Sequence, residues 1–119
     1  MSRDWRWFLL DLIDFCERIL EYSAGLDQEG LLSSRLNLDA ILRNIETLGE
    51  AAKHVPPEFR EKLPEIPWPK LIGMRNALIH EYFGIDNDVL WDVVSNKVPT
   101  LLALLRRARG EHSEWFAHP

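Results

Sequence analysis

From Trp5 to Leu20 the chain places apolar side chains at Trp5, Phe8, Leu9, Leu12, Ile13, Cys16, Ile19 and Leu20. From Leu38 to Ala52 it does so again, with Leu38, Ile41, Leu42, Ile45, Leu48 and Ala52. Steps of three and four gather these residues on one face of an α-helix, which must bury that face against another element. The first stretch turns Arg6, Asp14, Glu17, Arg18 and Glu21 to the other side. No segment shows the period-two alternation of a strand. The pattern predicts an all-α fold: a compact antiparallel bundle of four to five helices with short connections. A chain of 119 residues is long enough to enclose one core without staples, so residues 1–119 are expected to form a single domain.

Glycine and proline supply the punctuation. Gly25 offers a stop for the first helix, and "LDQEGLLSS" reads as a polar connector to the second. Gly49 lies inside that second helix beside Ala51 and Ala52. An interior glycine costs about 1 kcal/mol relative to alanine, so a packing reason is expected. Pro56 and Pro57 end the helix, and Pro57 can open a short third one, "PEFREKL", closed by Pro64. After the rigid "PEIPWP" turn, a fourth helix is expected from about Trp68 to Phe83, with Gly84 as its C-cap. Asp86 is placed to N-cap a fifth. Its apolar face comprises Val89, Leu90, Val93, Val94, Leu101, Leu102 and Leu105, and Pro99 should kink or divide it. The tail, residues 110–119, is either flexible or docks through Trp115 and Phe116.

Composition excludes several classes of function. Cys16 is the only cysteine, so no disulfide framework or cysteine-based zinc site is expected, and its place on an apolar stripe marks it as a buried thiol. His54, His80, His112 and His118 show no metal-ligand spacing. There is no leader-like N-terminus and no apolar run of membrane-spanning length, which makes a cytoplasmic protein without a membrane partner the default expectation. A net charge of −5 argues against a DNA-coating role. A local cluster of cations can still meet RNA within a Debye length.

One segment concentrates chemistry. "RNALIHEY" places Arg75, Asn76, His80 and Tyr82 within eight positions. On a regular helix, at about 100° per residue, Asn76 and His80 share one face and Arg75 and Tyr82 another, while Arg75 and His80 diverge by about 140°. A single helix would not aim both at one phosphate. Two copies about a two-fold axis would; otherwise the helix must be distorted or the long arginine side chain must curl round, and of these the spacing points to a homodimer. The set suits metal-free RNA cleavage. A histidine can take a proton from a 2′-hydroxyl or give one to the leaving oxygen, and an arginine can stabilise charge growing on phosphate oxygens. Asn76 would orient the histidine or bind phosphate. The bland alternative is a structural histidine, an arginine in a surface ion pair and a packing tyrosine. Outside the segment, Glu46 and Glu50 share a helical face that is either solvated or engaged at a site. Arg43 would add positive potential in a direction the sequence leaves open. "LLRRAR" near the C-terminus is either a basic rim or a favourable helix end.

The same residues resemble the R-x4-H-x-Y motif of HepT-like HEPN-domain proteins. "DAILRNIETLGEAAKHVP" is similar to that family's second-helix signature, and "EIPWPKLIGMRNALIHEYFGID" to its motif block. With "VLWDVVSNKVPTLL" the resemblance spans about Asp11 to Leu105. It implies an all-α homodimer, the toxin of a type VII HEPN–MNT toxin–antitoxin module, acting as a metal-independent ribonuclease without cofactor. Arg75 and His80 would be catalytic and Asn76 supporting. Tyr82 would accept AMP from a partner nucleotidyltransferase of the MNT type, the antitoxin, and the bulky anion would block the cationic pocket. The rival expectation is a non-catalytic nucleotide- or substrate-binding subunit of a minimal nucleotidyltransferase complex.

Overall fold

The computed structural model describes residues 4–80 and 84–118, with Ile79 and His80 described as backbone alone. Helix α1 (Trp5–Ser23) begins at Asp4, whose carboxylate accepts the Arg6 backbone N–H at 2.9 Å. Hydrogen bonds from the Arg6 side chain hold that carboxyl down to about 2. Leu9, Leu12, Ile13, Cys16 and Ile19 are its buried stripe, and Gly25, at φ 76°, turns the chain away. Helix α3 (Arg35–Lys53) buries Ile41, Ile45, Leu48, Gly49, Ala51 and Ala52. It lies antiparallel to α1: Asn37 Nδ2 donates to the Tyr22 carbonyl at one end, and Phe8 stacks on His54 at the other.

The connector between them is not simply polar loop. Residues Gln28–Ser33 form helix α2, capped by Asp27, whose Oδ1 accepts the Gly30 N–H at 2.7 Å. A single buried residue, Leu31, is too little to register as a period in sequence. Helix α4 (Pro57–Arg60) follows the two prolines as expected. Trp68 Nε1 donates to the Arg60 and Leu63 carbonyls, each at 3.1 Å. The proline-rich turn is thereby tied to the start of the next helix.

The expected fourth helix is the main correction. It breaks into α5 (Trp68–Ile72) and α6 (Met74–Leu78) at Gly73, then gives way to strand β1 (Ile79–His80). This strand pairs antiparallel with β2 (Gly84–Ile85), Ile79 opposite Ile85 and His80 opposite Gly84. Ile79 is β-branched, and Gly84 takes a φ of 78° that other residues resist. The Asp86 N–H donates to the Leu78 carbonyl at 2.8 Å, closing the hairpin on α6. Residues 81–83, where the helix was expected to end, lie outside the described residues.

Asp86 caps α7 (Asn87–Asp92), accepting from the Asp88 and Val89 N–H groups. A π-helical turn over Val93–Lys97 then leads into α8 (Val98–Glu111), with the Val98 N–H reaching the Val93 carbonyl. Pro99 has no N–H to continue the ladder, and the widened turn before it absorbs the mismatch. The tail is docked: Phe116 is buried, and Trp115 meets Trp5 and Phe59 edge-on. Cys16 is fully buried, and burial pushes its thiol up to about 12. Among the described residues no helix is long and apolar enough to cross a membrane.

Candidate active site

Met74 and Leu78, four apart, are buried and pin α6 to the core, so Arg75 and Asn76 are turned outward. Neither side chain makes a hydrogen bond or ion pair among the described residues. Arg75 lines an open cleft of about 380 Å³ whose opposite wall is α3, through Asp39, Leu42, Arg43, Ile45 and Glu46; Leu78 and Ile85 complete it. A guanidinium without a partner among the described residues, beside an open cleft, is available to an anionic ligand.

The cleft is held in place by a backbone approach. Gly49 of α3 faces the end of α5, where a Cβ would stand 3.3 Å from the Ile72 carbonyl oxygen and 3.4 Å from that of Leu71. This is the packing reason expected for an interior glycine. It sets the distance between α3 and the segment that carries Arg75.

His80 lies on β1 rather than on a continuing helix. The shared helical face assigned to Asn76 and His80 therefore ends at Leu78, and with it the 140° divergence that argued for a dimer. Backbone pairing puts His80 opposite Gly84, directly after the helix that presents Arg75. Tyr82, the expected modification acceptor, lies outside the described residues.

Other singled-out residues separate clearly. Arg43 points into the cleft and pairs with Glu46 at 3.8 Å. Glu50, one turn further along α3, is engaged by Lys53 at 2.9 Å, and that hydrogen bond lowers its carboxyl. His54 caps α3, His112 stacks on Trp115 at 4.1 Å, and His118 packs on Trp7. Arg106 pairs with Glu17 and Arg107 with Glu111, away from the cleft lining. The α3 wall was the part least visible in sequence. Its signal is that positions 39, 42, 43 and 46 form one helical face beside the buried stripe.

Comparison with known proteins adds a family. The model described as "Ribonuclease HepT-like" matches residues 12–108. A Thermococcus cleftensis protein named "Probable ribonuclease HepT" is 36% identical over 109 residues, covering 92% of this chain and 99% of that one. A Methanocaldococcus jannaschii protein named "Putative RNase MJ1380" is 36% identical over 100 residues, 84% of this chain and 92% of that one. One from Caldanaerobacter subterraneus, "Putative RNase TTE0752", is 36% identical over 96 residues, 81% and 86% of the two chains. No solved structure matches.

Proposed function

Because the chain belongs to the HepT-like ribonuclease family, we propose that it is the toxin of a HEPN–MNT toxin–antitoxin module. It acts as a homodimeric, metal-independent endoribonuclease. The observation that carries the reading is Arg75: exposed, without a partner among the described residues, and lining an open cleft five positions before His80.

In the proposed reaction, His80 of one subunit takes the proton from a ribose 2′-hydroxyl. The 2′-oxygen attacks the adjacent phosphorus, forming a P–O2′ bond as the P–O5′ bond breaks. His80 of the second subunit donates the proton that the leaving 5′-oxygen needs. Arg75 stabilises the negative charge that grows on the non-bridging oxygens, and Asn76 supports it from the same turn. Control falls on Tyr82. Its oxygen attacks the α-phosphorus of ATP on the partner nucleotidyltransferase, releasing pyrophosphate and leaving AMP on the ring. The attached anion then competes with RNA phosphate for Arg75.

Purified protein incubated with RNA and excess chelator tests the activity. Wild type should cleave, while Arg75→Ala and His80→Ala, folded and still dimeric, should not. A folded His80→Ala protein that cleaves at the wild-type rate would remove histidine from the mechanism. Intact RNA after incubation with wild type would favour the binding-subunit alternative. Mass spectrometry of the Tyr82 peptide, with and without the nucleotidyltransferase and ATP, tests the off-switch separately.

A further inference from the structure

Arg43 sits across the cleft from the motif. It projects from α3, lines the same space as Arg75 and, among the described residues, is held only by Glu46, at 3.8 Å. Its side chain is 72% exposed and that of Glu46 is 45% exposed. A pair this long and this wet contributes little to stability, so stability does not account for a cation on this wall. The chain as a whole carries a charge of −5, yet here two guanidiniums from different elements face one opening. The acidic groups of the wall, Asp39 and Glu46, lie on the same face of α3 as Arg43.

We infer that Arg43 is a substrate-contact residue that binds a phosphate flanking the one held by Arg75, so that the cleft grips an RNA strand at two successive positions. This rests on the ribonuclease reading above. Glu46 is the resting partner. It keeps the guanidinium extended over the cleft and yields it to phosphate, which offers a shorter, bidentate contact than the present pair. Asp39 and Glu46 outnumber Arg43 on the α3 wall, and Arg75 brings the cleft as a whole to neutrality, so a phosphate is held by the two guanidiniums directly and not by a broad positive field. A single phosphomonoester would reach Arg75 without needing Arg43.

The test separates this inference from the reading it rests on. Binding of a fluorescent single-stranded RNA is followed by anisotropy across a salt series in the full-length His80→Ala protein, with Arg43→Ala, Arg43→Lys or Arg18→Ala added. Arg18 is the control: it also loses one positive charge, but on α1, where it pairs with Asp14. Losing one single-strand phosphate contact should reduce the salt slope by about 0.7 and weaken binding about tenfold. Lysine should restore the slope but only part of the affinity, and Arg18→Ala should change neither. In the active protein, Arg43→Ala should raise KM about tenfold on an oligonucleotide while kcat stays within about twofold. On a dinucleotide, with its single phosphodiester, it should change nothing. Equal slopes for Arg43→Ala and Arg18→Ala overturn the inference and leave the ribonuclease reading intact. A normal Arg43 effect on binding beside a wild type that cuts no RNA would remove the reading and keep the contact.

Discussion

Gly49 is the position where fold and site meet, and substituting it discriminates between them. The added Cβ of Gly49→Ala would lie 3.3 Å from the Ile72 carbonyl oxygen and 3.4 Å from that of Leu71. That is a few tenths of an ångström closer than such contacts usually run, and backbone atoms on the far side must move to relieve it. Against this, alanine gains about 1 kcal/mol of helix propensity over glycine in the middle of α3. The two terms nearly cancel, so Gly49→Ala should fall within about 1 kcal/mol of wild type. Valine directs two further methyls at the same carbonyls. Overpacking of this kind costs about 1–3 kcal/mol and propensity returns less, so Gly49→Val should be less stable by about 1–2 kcal/mol. Urea unfolding measures it directly. With a slope of about 1.5 kcal/mol/M, the midpoint should drop by about 1 M for valine and barely move for alanine. The site should respond more sharply than the fold. Ile72 is three residues from Arg75, and a displacement passed on to the guanidinium lowers cleavage, by about tenfold in Gly49→Ala. A Gly49→Val protein as stable as wild type would refute the close-approach argument.

Arg75→Ala should leave the urea midpoint unchanged to within about 0.5 kcal/mol, since Arg75 has no partner among the described residues, while RNA cleavage falls about 100-fold or more. Cys16 should resist a thiol reagent at pH 8 until the protein unfolds, because its buried thiol is pushed up to about 12. The sign for stability follows from the same shift. Above about 9 the unfolded thiol ionises and the folded one does not, so stability falls by about 1.4 kcal/mol per pH unit between about 9 and about 12. Urea midpoints at pH 8 and 10 should show this loss in wild type, and a loss smaller by about 1.4 kcal/mol in Cys16→Ala. Trp115→Ala removes two edge-on contacts, with Trp5 and Phe59, and should lower stability by about 2–3 kcal/mol with little effect on cleavage per folded molecule.

The parts of the fold that rest on many residues were legible in sequence, and those that rest on one or two were not. The stripes of α1 and α3 repeat over enough turns to fix their faces, and Asp86, Pro57 and Gly25 mark boundaries by chemistry that acts locally. Helix α2 leaves no trace in sequence because one cap and one buried leucine make no period. The motif segment departs from its sequence pattern for a different reason. "LIGMRNALIH" satisfies a helical pattern almost throughout, and only the combination of Gly73, β-branched Ile79 and left-handed Gly84 turns its end into a hairpin. Pro99 was read correctly as a divider, although the device, a π-helical turn placed before it, could not be read from the proline alone. For the site, Arg75 was visible as a motif residue. Arg43 was visible only as a charge, because its direction depends on how α3 lies against α6.

That arrangement explains why a cleft exists at all. A continuous helix from Trp68 onward would run its whole length beside α3 and fill the space with side chains. Breaking it at Gly73 leaves α6 as little more than one turn, anchored by Met74 and Leu78, and the hairpin then turns the chain back so that Ile85 closes one end of the opening. The anchor itself is stiff: Gly49 brings α3 to within van der Waals contact of the α5 carbonyls, and Trp68 fixes the start of α5 through two hydrogen bonds. The motif therefore sits on short elements, which cannot be rigid by themselves, held against a long helix that is. A ribonuclease that works by positioning needs its arginine constrained from behind and unpaired in front. Arg75, without a partner among the described residues, has both properties because the helix it was expected to continue stops after Leu78.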